Sequence, residues 1–132
     1  LDQFYGQHTA TELPNGNILL FDNGTDRPEE EGGAYSRALE LTLNTYELVA
    51  KKVWEYRPDP ALYAGSRSSA YRLENGNTLV NFETNNSDPP RVIAEVAPDQ
   101  TEVWKLELRS ESIRNSYRAY AYDSVWGETR VR

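Results

Sequence analysis

The sequence predicts an all-β chain, a partial β-propeller of about two four-stranded blades followed by a closing strand. Three observations lead there. A hairpin motif at residues 13–20, Leu13-Pro14-Asn15-Gly16-Asn17-Ile18-Leu19-Leu20, returns at residues 73–80 as Leu73-Glu74-Asn75-Gly76-Asn77-Thr78-Leu79-Val80. A second motif, Val53-Trp54-Glu55, returns as Val103-Trp104-Lys105, and between the two Arg37-Ala38-Leu39-Glu40 loosely matches Arg91-Val92-Ile93-Ala94. The composition is 38% hydrophobic with 9 Tyr, 3 Trp and 3 Phe, poor in aliphatics and rich in strand-favouring aromatics.

The elements follow in order. The first copy reads as strands over residues 9–13, 17–22, 36–43 and 47–56. The second reads as strands over 69–73, 78–83, 91–97 and 101–108. In each copy Asn-Gly joins the first two strands, which predicts a type I′ turn with positive φ at both residues. Asn44-Thr45-Tyr46 and Pro98-Asp99-Gln100 join the third and fourth strands. Leu39, Leu41 and Leu43 alternate with Glu40, Thr42 and Asn44, one face buried and one wet. The stretch 107–116 could coil, and Tyr117 to Tyr122 alternates like a strand. Pro58 to Gly65 and Asn85 to Pro90 are loops by composition, and Glu29-Glu30-Glu31 marks a solvated tip. Trp54 and Trp104, at equivalent positions, are expected in the core.

The organisation is therefore a first blade over about residues 8–57, a second over about 66–109, and a closing strand over about 116–131. A four-stranded unit at roughly 50–60 residues is the signature of a propeller blade, and a ring needs about four to eight of them. The 132 residues hold only about two. The remaining blades must come from another chain or a missing segment. A β-sandwich of two four-stranded sheets is the alternative that strand count permits.

Composition narrows the chemistry. With 14 basic and 21 acidic residues the formal charge is −7, which disfavours nucleic acid as a partner. No apolar run approaches a membrane span. No Cys and a single His exclude disulfides, thiolate nucleophiles and multi-histidine metal sites built from this chain. No metal or cofactor is implied, and no Gly-rich phosphate loop is present.

Four residues stand out. His8, beside Gln7 and ahead of the first strand, is placed where a propeller's strand ends line a central funnel. It reads either as a nucleophile or base, or as a packed, hydrogen-bonded blade residue. Asn23 lies in Phe21-Asp22-Asn23-Gly24, where either it or Asp22 faces a ligand, or both serve a local turn. Arg27 and Arg37 each offer a planar fork to an oxyanion, or else an ion pair, Arg27 with the Glu29–Glu31 run and Arg37 between blades. Asn23-Gly24-Thr25 and Asn85-Asn86-Ser87 also match glycosylation tripeptides.

Gln7-His8-Thr9-Ala10, the Leu13 to Gly24 stretch, Tyr35-Ser36-Arg37 and Val53-Trp54-Glu55-Tyr56 together resemble the C-terminal part of the PAPS-independent bacterial arylsulfotransferases and their wider relatives. The second copy continues the pattern, and Tyr117-Arg118-Ala119 looks like the family's closing segment. The resemblance implies a six-bladed propeller that moves a sulfuryl group from an aryl sulfate donor to a phenolic acceptor through a sulfated histidine. It implies His8 as the nucleophile and favours a periplasmic or secreted setting. The family's further histidines and an arginine from earlier blades are not in this chain, so the chain alone is expected to be inactive. The other readings are a propeller that binds or scaffolds without chemistry, and a structural subunit that assembles edge to edge.

Overall fold

The computed structural model describes residues 3–84, 90–109 and 116–122. Eight strands follow in chain order: β1 (His8–Glu12), β2 (Ile18–Asp22), β3 (Arg37–Asn44), β4 (Val49–Tyr56), β5 (Ser69–Arg72), β6 (Thr78–Phe82), β7 (Arg91–Val96) and β8 (Glu102–Leu108). They form two open antiparallel sheets, β1-β2-β3-β4 and β5-β6-β7-β8, each strand paired with its neighbour in sequence. The chain is all-β, as the repeats predict. One turn of 3-10 helix, Glu29–Glu31, carries the acidic run, and its side chains are exposed. No helix among the described residues is long and apolar enough to cross a membrane.

Several expectations are corrected. The Asn-Gly turns are not type I′. Gly16 (φ 81°) and Gly76 (φ 86°) have positive φ, but Asn15 and Asn75 do not. Gly16 N–H donates to Leu13 O (2.8 Å) and Leu13 N–H to Asn17 O (2.8 Å), with the same pair of bonds at Gly76 and Leu73. This is a three-residue loop, a type I turn closed by a left-handed glycine. Pro14 suits its second position because φ is already set there. Glu107 and Leu108 end β8 instead of starting a coil. Residues 116–122 carry no strand ladder, and the rest of the expected closing strand lies outside the described residues, as does the Asn85 tripeptide.

The two sheets pack through opposite faces. Leu19, Phe21, Ala38 and Tyr56 of the first sheet meet Val80, Phe82, Val92, Ala94 and Val96 of the second, with Leu62 and Ala64 from the connecting segment between them. Phe82 lies edge-on to Phe21 (centroids 5.1 Å) and Tyr56 (6.2 Å). Leu19 corresponds in the repeat to Leu79, and Leu20 to Val80. The first sheet thus offers the Leu19 face to the junction, and the second offers the other. The first sheet is apolar on both sides, since Leu20, Leu39 and Leu41 pack together on its reverse.

Polar contacts fix the stacking. Arg72 Nη2 reaches Glu40 Oε2 across the junction (2.6 Å), and its guanidinium lies 5.4 Å from the Trp54 ring. Trp54 Nε1 donates to Pro98 O (2.9 Å), and the Tyr56 hydroxyl to Glu102 Oε1 (2.5 Å). Trp54 is partly buried against the core, as expected. Trp104 is not in the core and is 48% exposed. It occupies the face that the second sheet covers in the first and that no further sheet among the described residues covers in the second.

Candidate functional site

The end of β2 organises the site, because successive residues there point to opposite sides. Asp22, fully buried, gathers four donors. Its Oδ1 accepts from Tyr5 N–H (2.8 Å) and Gly24 N–H (3.1 Å), and its Oδ2 from Arg27 Nη2 (2.6 Å) and Arg37 Nε (2.9 Å). Arg37 also donates from Nη1 to Glu55 Oε2 (2.8 Å) and from Nη2 to Gln3 O (2.9 Å). Burial would lower the Arg37 pKa, but the hydrogen bonds to Glu55 and Asp22 outweigh it and leave the pKa raised. Arg27 stacks on the Tyr35 ring at 4.1 Å and retains a buried Nε without a hydrogen-bond partner. Gly24 closes the turn with φ 73°. A Cβ there would stand 1.9 Å from Tyr35 O, so only glycine fits.

On the other side, Asn23 positions His8. Asn23 Nδ2 donates to Ala64 O (2.6 Å) and Arg67 O (3.1 Å). Those two carbonyls orient the amide and leave Oδ1 for His8 Nδ1 at 2.7 Å. Nδ1 must then carry the proton, and Nε2 holds the lone pair. Arg67 N–H points at that lone pair from 3.3 Å. A bulge in β1 between His8 and Thr11, with Thr9 at φ 52°, aims the imidazole out of the ladder. Arg67 (φ 64°) and Ser68 (φ 73°) add two more left-handed non-glycine residues beside the ring. Strained backbone of this kind concentrates at functional sites. Tyr117 stands edge-on to the imidazole at 6.4 Å.

Of the four residues singled out from sequence, His8 and Asn23 come together, and Arg27 and Arg37 gather on Asp22. Arg27 pairs with Asp22, not with the Glu29–Glu31 run; Glu31 instead accepts from the Tyr5 hydroxyl (3.0 Å). The ion pairs of Arg37 stay within the first sheet and do not bridge the two. Asn23 is buried with its amide engaged and is not open to a glycan. Sequence reasoning missed Asp22 as the hub, and it missed the Arg67 amide. Asp22 had a signal, shifted by one residue: in the repeat register Glu83 stands at the position of Asn23, and it too binds an arginine at the start of the next strand, Arg91 (2.6 Å). Among the described residues no group of three acidic or histidine side chains could hold a metal.

Two packed meander sheets, with the chain's one imidazole held by Asn23 and the Arg67 amide, define a repeat all-β protein. The family model for arylsulfotransferase (ASST) matches residues 1–120, and the chain belongs to that family. No curated protein sequence matches it.

Proposed function

We propose that this chain is the C-terminal part of an arylsulfotransferase-like propeller and that His8 is its nucleophile. The observation that supports this best is the Asn23–His8 pair, which puts the ring proton on Nδ1 and the lone pair on Nε2, where it accepts only the long Arg67 N–H contact among the described residues. In the reaction Nε2 attacks the sulfur of an aryl sulfate. The N–S bond forms, the S–O(aryl) bond breaks, and the phenolate leaves. The ring becomes a cation whose Nδ1–H donates to Asn23 Oδ1, an interaction that strengthens as charge develops. An acceptor phenol then attacks sulfur: its S–O bond forms as the N–S bond breaks, its proton passes through water to the phenolate released in the first step, and the neutral imidazole, still protonated at Nδ1, is returned. The long Arg67 N–H contact gives way to the incoming sulfur and can then donate to a sulfuryl oxygen.

Asn23 is a positioning residue in this scheme. Arg27 and Arg37 are proposed to act on the sulfuryl group indirectly, by holding Asp22, which binds the Tyr5 amide three residues ahead of His8. Their donors to Asp22, Glu55 and Gln3 support that role. The remaining blades are supplied by another chain or a missing segment, and the chain by itself does not turn over.

The test is intact mass after incubating the assembled protein with an aryl sulfate. One SO3 is gained on His8, and His8→Ala abolishes the gain. A sulfuryl group on another residue, or none on any, removes the catalytic reading. A second reading, a binding or scaffold propeller without chemistry, is favoured by the Arg67 amide already occupying Nε2. It predicts aryl sulfate binding that survives His8→Ala without turnover.

A further inference from the structure

The segment that opens each sheet has a counterpart after the second one. His8-Thr9-Ala10-Thr11 aligns with Ser68-Ser69-Ala70-Tyr71 and again with Tyr117-Arg118-Ala119-Tyr120. Hydrogen bonds tie the three segments together in the same way. Ala70 N–H donates to Thr9 Oγ1 (3.2 Å), and Ala119 N–H donates to Ser69 Oγ (3.3 Å). Tyr120 stacks on Tyr71, centroids 5.0 Å apart. Tyr117 is therefore the counterpart of His8, two segments on. Equivalent positions of a repeat protein line one surface, and here the two side chains meet. The Tyr117 ring stands edge-on to the imidazole with centroids 6.4 Å apart, inside the range of about 4.5–7 Å at which aromatic rings attract one another.

The chain fixes the backbone around Tyr117 and leaves its side chain open. On one side Asn81 Nδ2 donates to Ser116 O (2.5 Å), and the Ser116 hydroxyl donates to Glu83 Oε2 (2.6 Å). On the other side Ser69 holds the Ala119 amide. The Tyr117 ring itself is 49% exposed, and its hydroxyl makes no hydrogen bond among the described residues. Core packing thus does not account for an aromatic side chain at this position, and neither does a polar contact of its hydroxyl.

We propose that Tyr117 is the residue of the site that selects an aromatic substrate: its ring packs on the substrate's aryl ring while His8 Nε2 engages sulfur. A substrate ring joined to Nε2 through one sulfur and one oxygen is carried to a distance from the imidazole similar to that at which Tyr117 stands. An aromatic pair contributes attraction beyond the area it buries, and a saturated ring of the same size forgoes that part. The inference rests on the reading of His8 given above and adds to it a residue from beyond the second sheet. Because the Tyr117 hydroxyl is unengaged, the ring carries the effect and phenylalanine serves equally.

The test is binding of 4-methylphenol and 4-methylcyclohexanol to the assembled protein, followed by NMR titration. Neither compound carries a sulfuryl group, so neither reacts. The unmodified protein and Tyr117→Phe bind the phenol in preference to the saturated alcohol. Tyr117→Leu keeps apolar bulk without a ring, and it lowers that preference about fivefold by weakening the phenol alone, on the scale of an aromatic pair. No preference in the unmodified protein overturns the proposal. So does a preference that Tyr117→Leu leaves unchanged, or a loss of both compounds in equal measure, which marks a structural role. Tyr117→Phe behaving as Tyr117→Leu also overturns it, because the hydroxyl and not the ring would then make the contact. Sulfuryl uptake on His8 with an unchanged preference removes this proposal and leaves the His8 reading. A preference lost in Tyr117→Leu without any sulfuryl uptake removes the His8 reading and leaves Tyr117 as the aryl contact of a binding site.

Discussion

Replacing Asp22 with alanine removes the acceptor on which two arginines, the Tyr5 amide and the Gly24 amide converge. Asp22 is fully buried, and the side chains of Arg27 and Arg37 are only 2% and 5% exposed. Neither guanidinium can turn to water without opening the junction with Tyr35. Arg37 keeps Glu55 and Gln3, whereas Arg27 loses the carboxylate it binds at 2.6 Å. Breaking a buried pair on one side costs about 3–5 kcal/mol, because the remaining charge is buried without compensation. For a domain whose total stability is about 5–15 kcal/mol, that is a large share. Urea unfolding followed by tryptophan fluorescence reads it as a lower midpoint at unchanged slope. Asp22→Ala/Arg27→Met should recover part of the loss, since it removes the stranded charge. A loss below about 1 kcal/mol for Asp22→Ala, the range of exposed ion pairs, would refute the argument that this cluster is dry.

Asn23→Ala should weaken sulfuryl uptake by about a hundredfold, the scale of a misplaced reacting group. It should also shift the His8 proton away from Nδ1, which 15N NMR of the imidazole detects and a purely structural role for Asn23 would not move. Arg72→Ala should cost about 2 kcal/mol in urea unfolding, because it strips a mostly buried Glu40 of its cation; an unchanged midpoint would mean that the sheets are held by apolar contact alone. Acid should destabilise the fold through Glu83, Glu55 and Glu102. Burial pulls Glu83 and Glu55 up, but hydrogen bonds from Ser116 and Arg91 at Glu83, and from Lys52 and Arg37 at Glu55, outweigh it; Tyr56 lowers Glu102. A carboxyl with a depressed folded pKa adds stability that is complete above its unfolded pKa of about 4.3 and fades as the pH falls through the folded value. Urea midpoints should therefore drop below about pH 4.5, and Glu83→Gln should flatten that slope while lowering the midpoint at neutral pH.

Much of the architecture was legible in one dimension. The Asn-Gly hairpins, the Val-Trp pairs and the alternation of Leu39, Leu41 and Leu43 are local patterns, and strand formation and strand order depend on local patterns. Meander sheets add only nearest-neighbour pairings, so the element order already implied the topology. His8 and Asn23 were visible as candidates because a lone imidazole and an Asp-Asn-Gly turn are conspicuous in a chain without cysteine. The detail of the turn was not visible. Type I′ and a three-residue loop share the same Asn-Gly letters, and only the bond between Gly16 N–H and Leu13 O distinguishes them.

What the tertiary structure decided is which face of each sheet is inside and what each polar group touches. Trp54 and Trp104 each follow a valine and each stand opposite a cross-strand glutamate, yet one is covered and the other open, because burial belongs to the neighbouring sheet and not to the residue. The partners of Arg27 and Arg37 likewise follow from the reach of a guanidinium in three dimensions. Sequence proximity pointed to Glu29–Glu31, and packing delivered Asp22. Backbone pattern is a property of short stretches, whereas charge pairing and burial are set by segments far apart in the chain, such as the Ala64 and Arg67 carbonyls that turn Asn23 toward His8.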